Sequence, residues 1–372
     1  MERPLSGIRA IGLEQYIAGP YCTLLLADAG AEIIKVERPG KGDPRRSMPP
    51  FAEKEGKRKA AGFMSYNRNK KSLALNLQHL EGQKIFHELA TTADVVVENL
   101  RPGAMDKIGL NYSNLSSSHT RLIWAIISGF GQLKGYRGPY SDRPAFDIVA
   151  EAMSGIMQAL FMRERTGKGQ LIDSAMFDNM LSLNESMVAL HSVAGQSPMR
   201  GTPKNLFPRG AFKTKDGYIA LNVPDNIIWE RLCKAINRND MIEDPRCKTG
   251  VERAANAHYI QPIIEVWLEQ LTRDDAVKKL NSSGVPTGPI NTAEDIFSDP
   301  HVNARGLLMP ITDSEVGKHL FARSPPFLSE APTLPTESAP KLGEHTIEIL
   351  TEVLGYSGEK INELSEGGVI GH

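Results

Sequence analysis

The sequence predicts an α/β protein with a doubly wound, Rossmann-like parallel sheet and a second, smaller α+β unit. Three observations lead there. Strand-like apolar runs alternate with helical patterns over residues 8–127, the signature of βαβ units. The character changes near Leu206, where a hairpin pattern takes over. A chain of 372 residues is also long enough for more than one folding unit.

The elements follow in order. Ile8 to Leu13 reads as a strand, Ala18 to Ala29 as a helix and Glu32 to Glu37 as a second strand. Ser72 to Leu77, Asp94 to Glu98 and Leu122 to Ile127 continue the sheet, with a helix carrying Ile85, Phe86, Leu89 and Ala90 between the first two. Phe212 to Val223 predicts a hairpin turning at Asp216-Gly217, a pair suited to positive φ. Helices follow near Ile227 to Ile236, around Ile263, Val266, Trp267 and Leu268, and from Thr272, where Thr272 and Asp275 suggest a capping box. Five prolines between Ser324 and Pro340 mark an extended connector, and Glu344 to Leu354 is a last helix stopped by Gly355. The expected divisions are 1–200, 206–303 and 304–372.

Composition narrows the function. Lys plus Arg number 43 against 44 Asp plus Glu, a net charge of −1, so no global field draws the protein to nucleic acid or an anionic membrane. No apolar run reaches membrane-span length and residues 1–4 carry no targeting signal, which predicts a cytoplasmic protein. Cys22, Cys233 and Cys247 form no CxxC pair and the nine histidines show no HxxxH spacing, so buried thiols and no metal are expected. The nucleotide motif GxGxxG, the P-loop and the GxSxG elbow are all absent.

What remains is a set of strand-end loops. Ala18-Gly19-Pro20 opens the first helix, whose N-terminal N–H groups can meet an anion or simply make a tight turn. Lys35 and Arg38 place cations at the end of the second strand, beside a Gly-rich loop. NRNKKS at 67–72 and ENLRPG at 98–103 also offer cations for a phosphorylated ligand, or a solvated face.

In order and spacing, AGP at 18–20, KVERPG at 35–40, NRNKKSLALNL at 67–77, ENLRPG at 98–103, SGFGQ at 128–132, RPAFDIVAEAMSG at 143–155, RERTGKGQ at 163–170, FKTKDGYI at 212–219, GVPTGPI at 284–290 and LGEHT at 342–346 resemble the formyl-CoA and carnitine CoA-transferase family, often called class III. The resemblance implies a large domain built from both chain ends, a small domain from the middle, and an interlocked homodimer. It implies CoA as a substrate rather than a bound cofactor, and a small carboxylic acid as acceptor. Carried over position by position, it points to Ile17, Ala18, Arg38, Leu75, Asn76, Leu77, Gln78, Asn99, Leu100, Arg101, Lys107, Pro144, Ala145, Phe146 and Asp147 as CoA contacts. Ile17 departs from formyl-CoA transferases, which resemble this chain there except for a Gln. The pattern resembles members that use succinyl-CoA with dicarboxylate acceptors, since the glycine run of formyl-CoA transferases is not found.

The resemblance also implies covalent catalysis by an aspartate in a Gly-Asp pair between the AMSG and RERTGKGQ segments. Here Met153-Ser154-Gly155-Ile156-Met157-Gln158 runs straight into Ala159-Leu160-Phe161-Met162-Arg163, with no Gly-Asp between Gln158 and Ala159. Asp147, Glu151, Asp173 and Asp178 are the acids from which a substitute would have to come, with Asp147 nearest by motif and Asp173 and Asp178 expected on a helix as packing or dipole partners. Phe146, where related racemases have a His, disfavours proton transfer next to a thioester. Three readings stay open: an active transferase whose complete form carries the segment, a deletion form that binds CoA weakly or acts as a non-catalytic subunit, and a folding-defective product whose core has lost a strand and helix.

Overall fold

The computed structural model describes residues 2–135, 137–142, 151–195, 207–324, 328, 330–331 and 333–371. It divides into two compact units, Met1–Leu183 with Arg305–His372, and Asn184–Ala304.

The first unit is built on β1 (Arg9–Leu13), α1 (Ala18–Asp28) and β2 (Glu32–Glu37). A two-stranded hairpin, β3 (Phe51–Lys54) and β4 (Lys57–Ala60), and α2 (Ala61–Asn67) follow. Then come β5 (Lys71–Ala74), α3 (Leu80–Thr91), β6 (Val95–Glu98), α4 (Tyr112–Ser116), β7 (Ile123–Ser128), α5 (Glu151–Thr166), β8 (Leu171–Ala175) and α6 (Met176–Leu183). The six long-range strands form one sheet in the order β5-β2-β1-β6-β7-β8, and every pair in it is parallel. Alternate residues of each strand serve opposite faces. Ile11, Leu13, Ile34, Leu73 and Val96 pack with Phe86 and Leu89 of α3 and with Ile349, Leu350 and Leu364 near the C-terminus. Ala10, Ile33, Val95, Val97 and Ile123 pack with Cys22 and Leu26 of α1 and Ile156 and Ala159 of α5. A sheet buried on both faces is what the alternating βα pattern predicts.

The second unit opens with α7 (Glu185–Ala194), so its first boundary lies before residue 200. β9 (Arg209–Lys213), β10 (Tyr218–Asn222) and β11 (Thr287–Pro289) form an antiparallel sheet with β10 central. The predicted tight turn is replaced by a four-residue connection, with Lys213 opposite Tyr218 and the Thr214 N–H on the Gly217 carbonyl at 2.9 Å. Neither Asp216 nor Gly217 takes a positive φ; instead Asp216 accepts the Arg273 N–H at 2.7 Å. The helices are α8 (Asn226–Ala235), α9 (Gly250–Ala255), α10 (Ala257–Leu268), α11 (Arg273–Ser282), α12 (Ala293–Ser298) and α13 (Pro300–Ala304). Thr272 caps α11, but the reciprocal capping box is at Thr292 and Asp295, at the start of α12.

Back in the first unit, β12 (Leu308–Asp313) and β13 (Gly317–Ala322) make a hairpin, and the described part of the proline-rich connector holds no helix or strand. The last predicted helix is α14 (Thr346–Glu348) continuing as a wider π turn over Ile349–Val353, with Gly355 at φ 69° after it. Helix α15 (Gly358–Glu366) closes the chain. Among the described residues no helix is long and apolar enough to cross a membrane.

Candidate functional site

Four of the sequence-predicted segments lie on one edge. Ile17 and Ala18 follow β1, Arg38 follows β2, residues 75–78 follow β5, and Asn99, Leu100 and Arg101 follow β6, with Lys107 in the next turn. These four strands are neighbours in the sheet. The chain leaves β1 for β2 on one side and returns to β6 on the other, so the gap beyond β1 and β6 is a topological switch point, where ligands of open α/β sheets bind. Residues 143–150, with Pro144, Ala145, Phe146 and Asp147, lie outside the described residues.

Under this edge is a buried charge network. Lys70 Nζ donates to Glu14 Oε1 at 2.8 Å, the Pro20 carbonyl at 2.9 Å and Asn67 Oδ1 at 3.1 Å. Lys35 Nζ donates to the Glu14 carbonyl at 2.8 Å and Asp43 Oδ2 at 3.0 Å. Burial works against the Glu14 carboxylate, but the two ammonium groups and the bonds from Lys70 and Thr23 hold its pKa below the usual range. Burial also pulls Lys70 down to about 8, with Glu14 opposing. Asp43 accepts the N–H of Tyr16 at 3.2 Å and of Arg45 at 2.9 Å. The network thus fixes the loop between β1 and α1, where Tyr16 takes a φ of 65° that a bulky residue rarely adopts.

This corrects the sequence reading at several cations. Lys35 is fully buried and cannot serve a phosphate. Arg68 is paired with Asp28 at 2.6 Å, and Lys71 with Glu32 and Glu348 at 3.0 and 2.7 Å. The NRNKKS segment is therefore neither a ligand surface nor a solvated face. Arg38, Arg101 and Lys107 are different: they are exposed and have no carboxylate partner among the described residues.

The remaining predicted contacts divide by role. Asn99 uses its side-chain amide within the protein, accepting the Gln15 N–H at 2.8 Å and donating to the Gln15 carbonyl at 2.9 Å. It packs against Gly19, where a Cβ would meet Asn99 Oδ1 at 3.0 Å. The Leu75 side chain is in the core, and its N–H is bonded to the Glu37 carbonyl at 2.8 Å. Asn76 is tied to the Val369 carbonyl at 2.8 Å, while Gln78 is exposed. Ile17 offers no side-chain cap to α1, leaving the first-turn N–H groups of that helix uncapped by a side chain.

Sequence reasoning missed Glu98. It ends β6 at the switch point, buried, with Trp124 Nε1 donating to it at 3.4 Å. Burial without a counter-cation raises its pKa to about 7. Its position at the end of an otherwise apolar strand was the available signal.

Helix α5 runs unbroken through Gln158 and Ala159, and Ile156 and Ala159 are seated in the core on either side. The substitute carboxylates fare poorly. Asp173 is on β8 rather than a helix, and its Oδ2 accepts the N–H groups of Gln132 and Leu133 at 2.6 and 2.7 Å. Asp178 is exposed in the first turn of α6. Among the described residues no group of three His, Cys, Asp or Glu gathers to hold a metal. All three cysteines are buried and free.

The sheet is a doubly wound α/β sheet, and its switch-point edge carries exposed cations with no carboxylate partner among the described residues. The family comparison is specific. The chain belongs to CoA-transferase family III, whose pattern matches residues 5–159 and 154–346, and it is by family a CoA-transferase. It is 34% identical to the beta subunit of the succinyl-CoA–L-malate CoA-transferase of Chloroflexus aurantiacus, over 99% of this chain and 98% of that one. The succinyl-CoA:glutarate CoA-transferase of Mus musculus is also 34% identical, over 99% of this chain and 90% of its own. The crystal structure of a CaiB/BaiF family protein from Brucella suis superposes with a TM-score of 0.80 at 32% identity, covering 95% of this chain and all of that one.

The same comparison locates a discontinuity. Residues 154–159 are matched twice, once from each side. The alignment with the Chloroflexus protein runs over 404 positions against a chain of 372, so at least 32 positions of that relative have no counterpart here.

Proposed function

We propose that the protein's reaction is transfer of CoA from succinyl-CoA to a small carboxylic acid, with CoA lying along the carboxyl edge of β5, β2, β1 and β6. The observation that carries this reading is the convergence of Ile17, Ala18, Arg38, residues 75–78 and Asn99 to Arg101 on four neighbouring strand ends. Arg38, Arg101 and Lys107 supply the donors for CoA phosphates. Ala18 and the uncapped first turn of α1 face the same edge, and Asn99 and Asp43 hold that turn's entry loop in place. The names of the Chloroflexus and mouse relatives support succinyl-CoA as donor and a dicarboxylate as acceptor.

The chemistry is covalent. An aspartate oxygen attacks the thioester carbonyl carbon, the C–S bond breaks, and CoA leaves as a thiolate from a mixed anhydride. The thiolate attacks the aspartyl carbonyl, releasing succinate and leaving an aspartyl-CoA thioester. The acceptor carboxylate attacks that thioester and expels the thiolate, which then takes the acceptor's acyl group and frees the aspartate. Exposed Met157, Phe161, Met162, Phe177 and Met180 on α5 and α6 support a homodimer, since large apolar side chains exposed along neighbouring chain segments are often covered by a partner.

One observation favours a narrower reading for the 372-residue chain: α5 passes directly from Gln158 to Ala159, within the stretch where the two family matches overlap and where the resemblance would place the aspartate segment. We propose that this chain binds CoA and does not complete the covalent step. Thermal unfolding with CoA and hydroxylamine trapping with succinyl-CoA test both parts. A CoA-dependent rise in Tm without a trapped hydroxamate is expected. No rise in Tm refutes the binding edge, and a trapped hydroxamate refutes the narrower reading.

A further inference from the structure

Arg45 and Arg46 are adjacent in sequence and opposite in satisfaction. Arg46 donates from Nε and Nη2 to Glu37 at 2.9 and 2.7 Å, donates from Nη1 to the Pro340 carbonyl at 3.0 Å, and lies 3.7 Å over the Phe63 ring. Arg45 has no carboxylate partner among the described residues. Its Nε is shielded from solvent without an acceptor, and the one neighbour of Nη1 is Met48 Sδ at 3.9 Å.

The Arg45 side chain is nevertheless held. Asp43 Oδ1 accepts its backbone N–H at 2.9 Å. The guanidinium rests against Gly62, where a Cβ would fall 2.5 Å from Nε and 2.7 Å from Cζ. The slot exists because residue 62 has no side chain. Of the five donors in this rigid, half-buried fork, Nε is shielded from solvent with no acceptor, an unfavourable state that an arriving anion would relieve. The turn that carries Arg45, Pro44–Ser47, continues from the loop after Arg38.

We propose that Arg45 binds the second carboxylate of a dicarboxylic substrate, the one that takes no part in thioester chemistry. The inference rests on the carboxylic-acid substrate proposed above and adds the residue that distinguishes a dicarboxylate from a monocarboxylate. Arg38, Arg101 and Lys107 are exposed and suit the mobile phosphates of CoA, whereas Arg45 is recessed and its planar fork matches a single carboxylate in two-point contact.

Calorimetric titration of the full chain with glutarate, butyrate and CoA separately provides the test. The wild type should bind glutarate more tightly than butyrate. Arg45→Gln should weaken glutarate by about tenfold or more and leave CoA unchanged. Gly62→Ala keeps every charge and favours helix α2, but its Cβ displaces the guanidinium, so it should weaken glutarate with Tm maintained. Equal wild-type affinity for glutarate and butyrate, or unchanged glutarate binding in both variants, overturns the proposal. So does an equal loss of CoA affinity in Arg45→Gln, which would make Arg45 a phosphate ligand. Failure of the wild type to bind CoA would refute the binding edge alone, because the glutarate arm does not require CoA.

Discussion

At the carboxyl ends of β5, β2, β1 and β6, Glu14, Lys35, Asp43 and Lys70 are paired in the interior, and Arg38, Arg101 and Lys107 are exposed with no carboxylate partner among the described residues. Among the described residues, the β7 and β8 end of the same sheet shows no such network. Helix α5 enters β8 through a short turn, Asp173 is committed to the backbone of residues 132 and 133, and Phe161, Met162, Phe177 and Leu183 are exposed. Under the proposed function, the difference separates two tasks of one sheet, holding a ligand and reacting with it. On that function, the binding half is written in this chain's residues, and the reacting half is interrupted at residues 154–159, where the two family matches overlap.

The largest expected effect is a gain. Inserting the corresponding segment of the Chloroflexus relative between Gln158 and Ala159 should raise CoA exchange by roughly three orders of magnitude or more, as restoring a covalent nucleophile does; steady-state exchange between succinyl-CoA and glutarate reads it. An inserted chain that folds and stays inactive would erase the distinction between the halves.

The buried network is the next place to break. Lys70→Met removes one partner and leaves the Glu14 carboxylate in the core, which should destabilise by about 3 to 5 kcal/mol, measured by urea unfolding. A change within experimental error would mean that the network does not hold the β1–α1 loop.

Glu98 gives the comparison a pH dependence. Its folded pKa of about 7 lies above the ordinary value of 4.5, so the native state favours the protonated acid. Its contribution is fully present below about pH 4.5 and declines as pH rises toward 7, by about 3 kcal/mol in all. Glu98→Gln should flatten this limb and be more stable than wild type at pH 8. Parallel stability curves for the two proteins over pH 4–8 would contradict the assignment. Arg38→Ala should produce the smallest change, a loss of CoA affinity of about ten- to a hundredfold with little effect on Tm.

Much of this was legible in the sequence, for physical reasons that differ by element. β2 falls on Glu32–Glu37 as read, its Ile33, Ile34 and Val36 bracketed by Glu32 and Glu37, and α1 ends one residue early, at Asp28 after the apolar run Leu24–Ala27. β5 is shorter than the Ser72 to Leu77 pattern because Leu75 and Asn76 leave it to pair with Ile370 and Val369. The β3–β4 hairpin was missed because its strands are mostly charged and lack apolar alternation; its Glu55-Gly56 turn, with φ of 52° and 76°, was the available clue.

At the candidate site, strand-end position was legible and side-chain direction was not. Arg38 and Arg101 face solvent, but Lys35 and Lys70 turn inward to Glu14, a residue far from both in sequence. A lysine within a strand buried on both faces, as Lys35 is in EIIKVE, was the signal that could have identified one of them. Arg45 could not be separated from Arg46 by sequence, because the contrast depends on the distant Glu37, Pro340 and Gly62.

The most direct test of the division between holding and reacting is mass spectrometry of the full chain with succinyl-CoA, recorded first under native and then under denaturing conditions. The predicted result is a native complex heavier by one CoA ester that returns to the mass of the bare protein on denaturation. A succinyl or CoA adduct that survives denaturation, or no native complex, would contradict it.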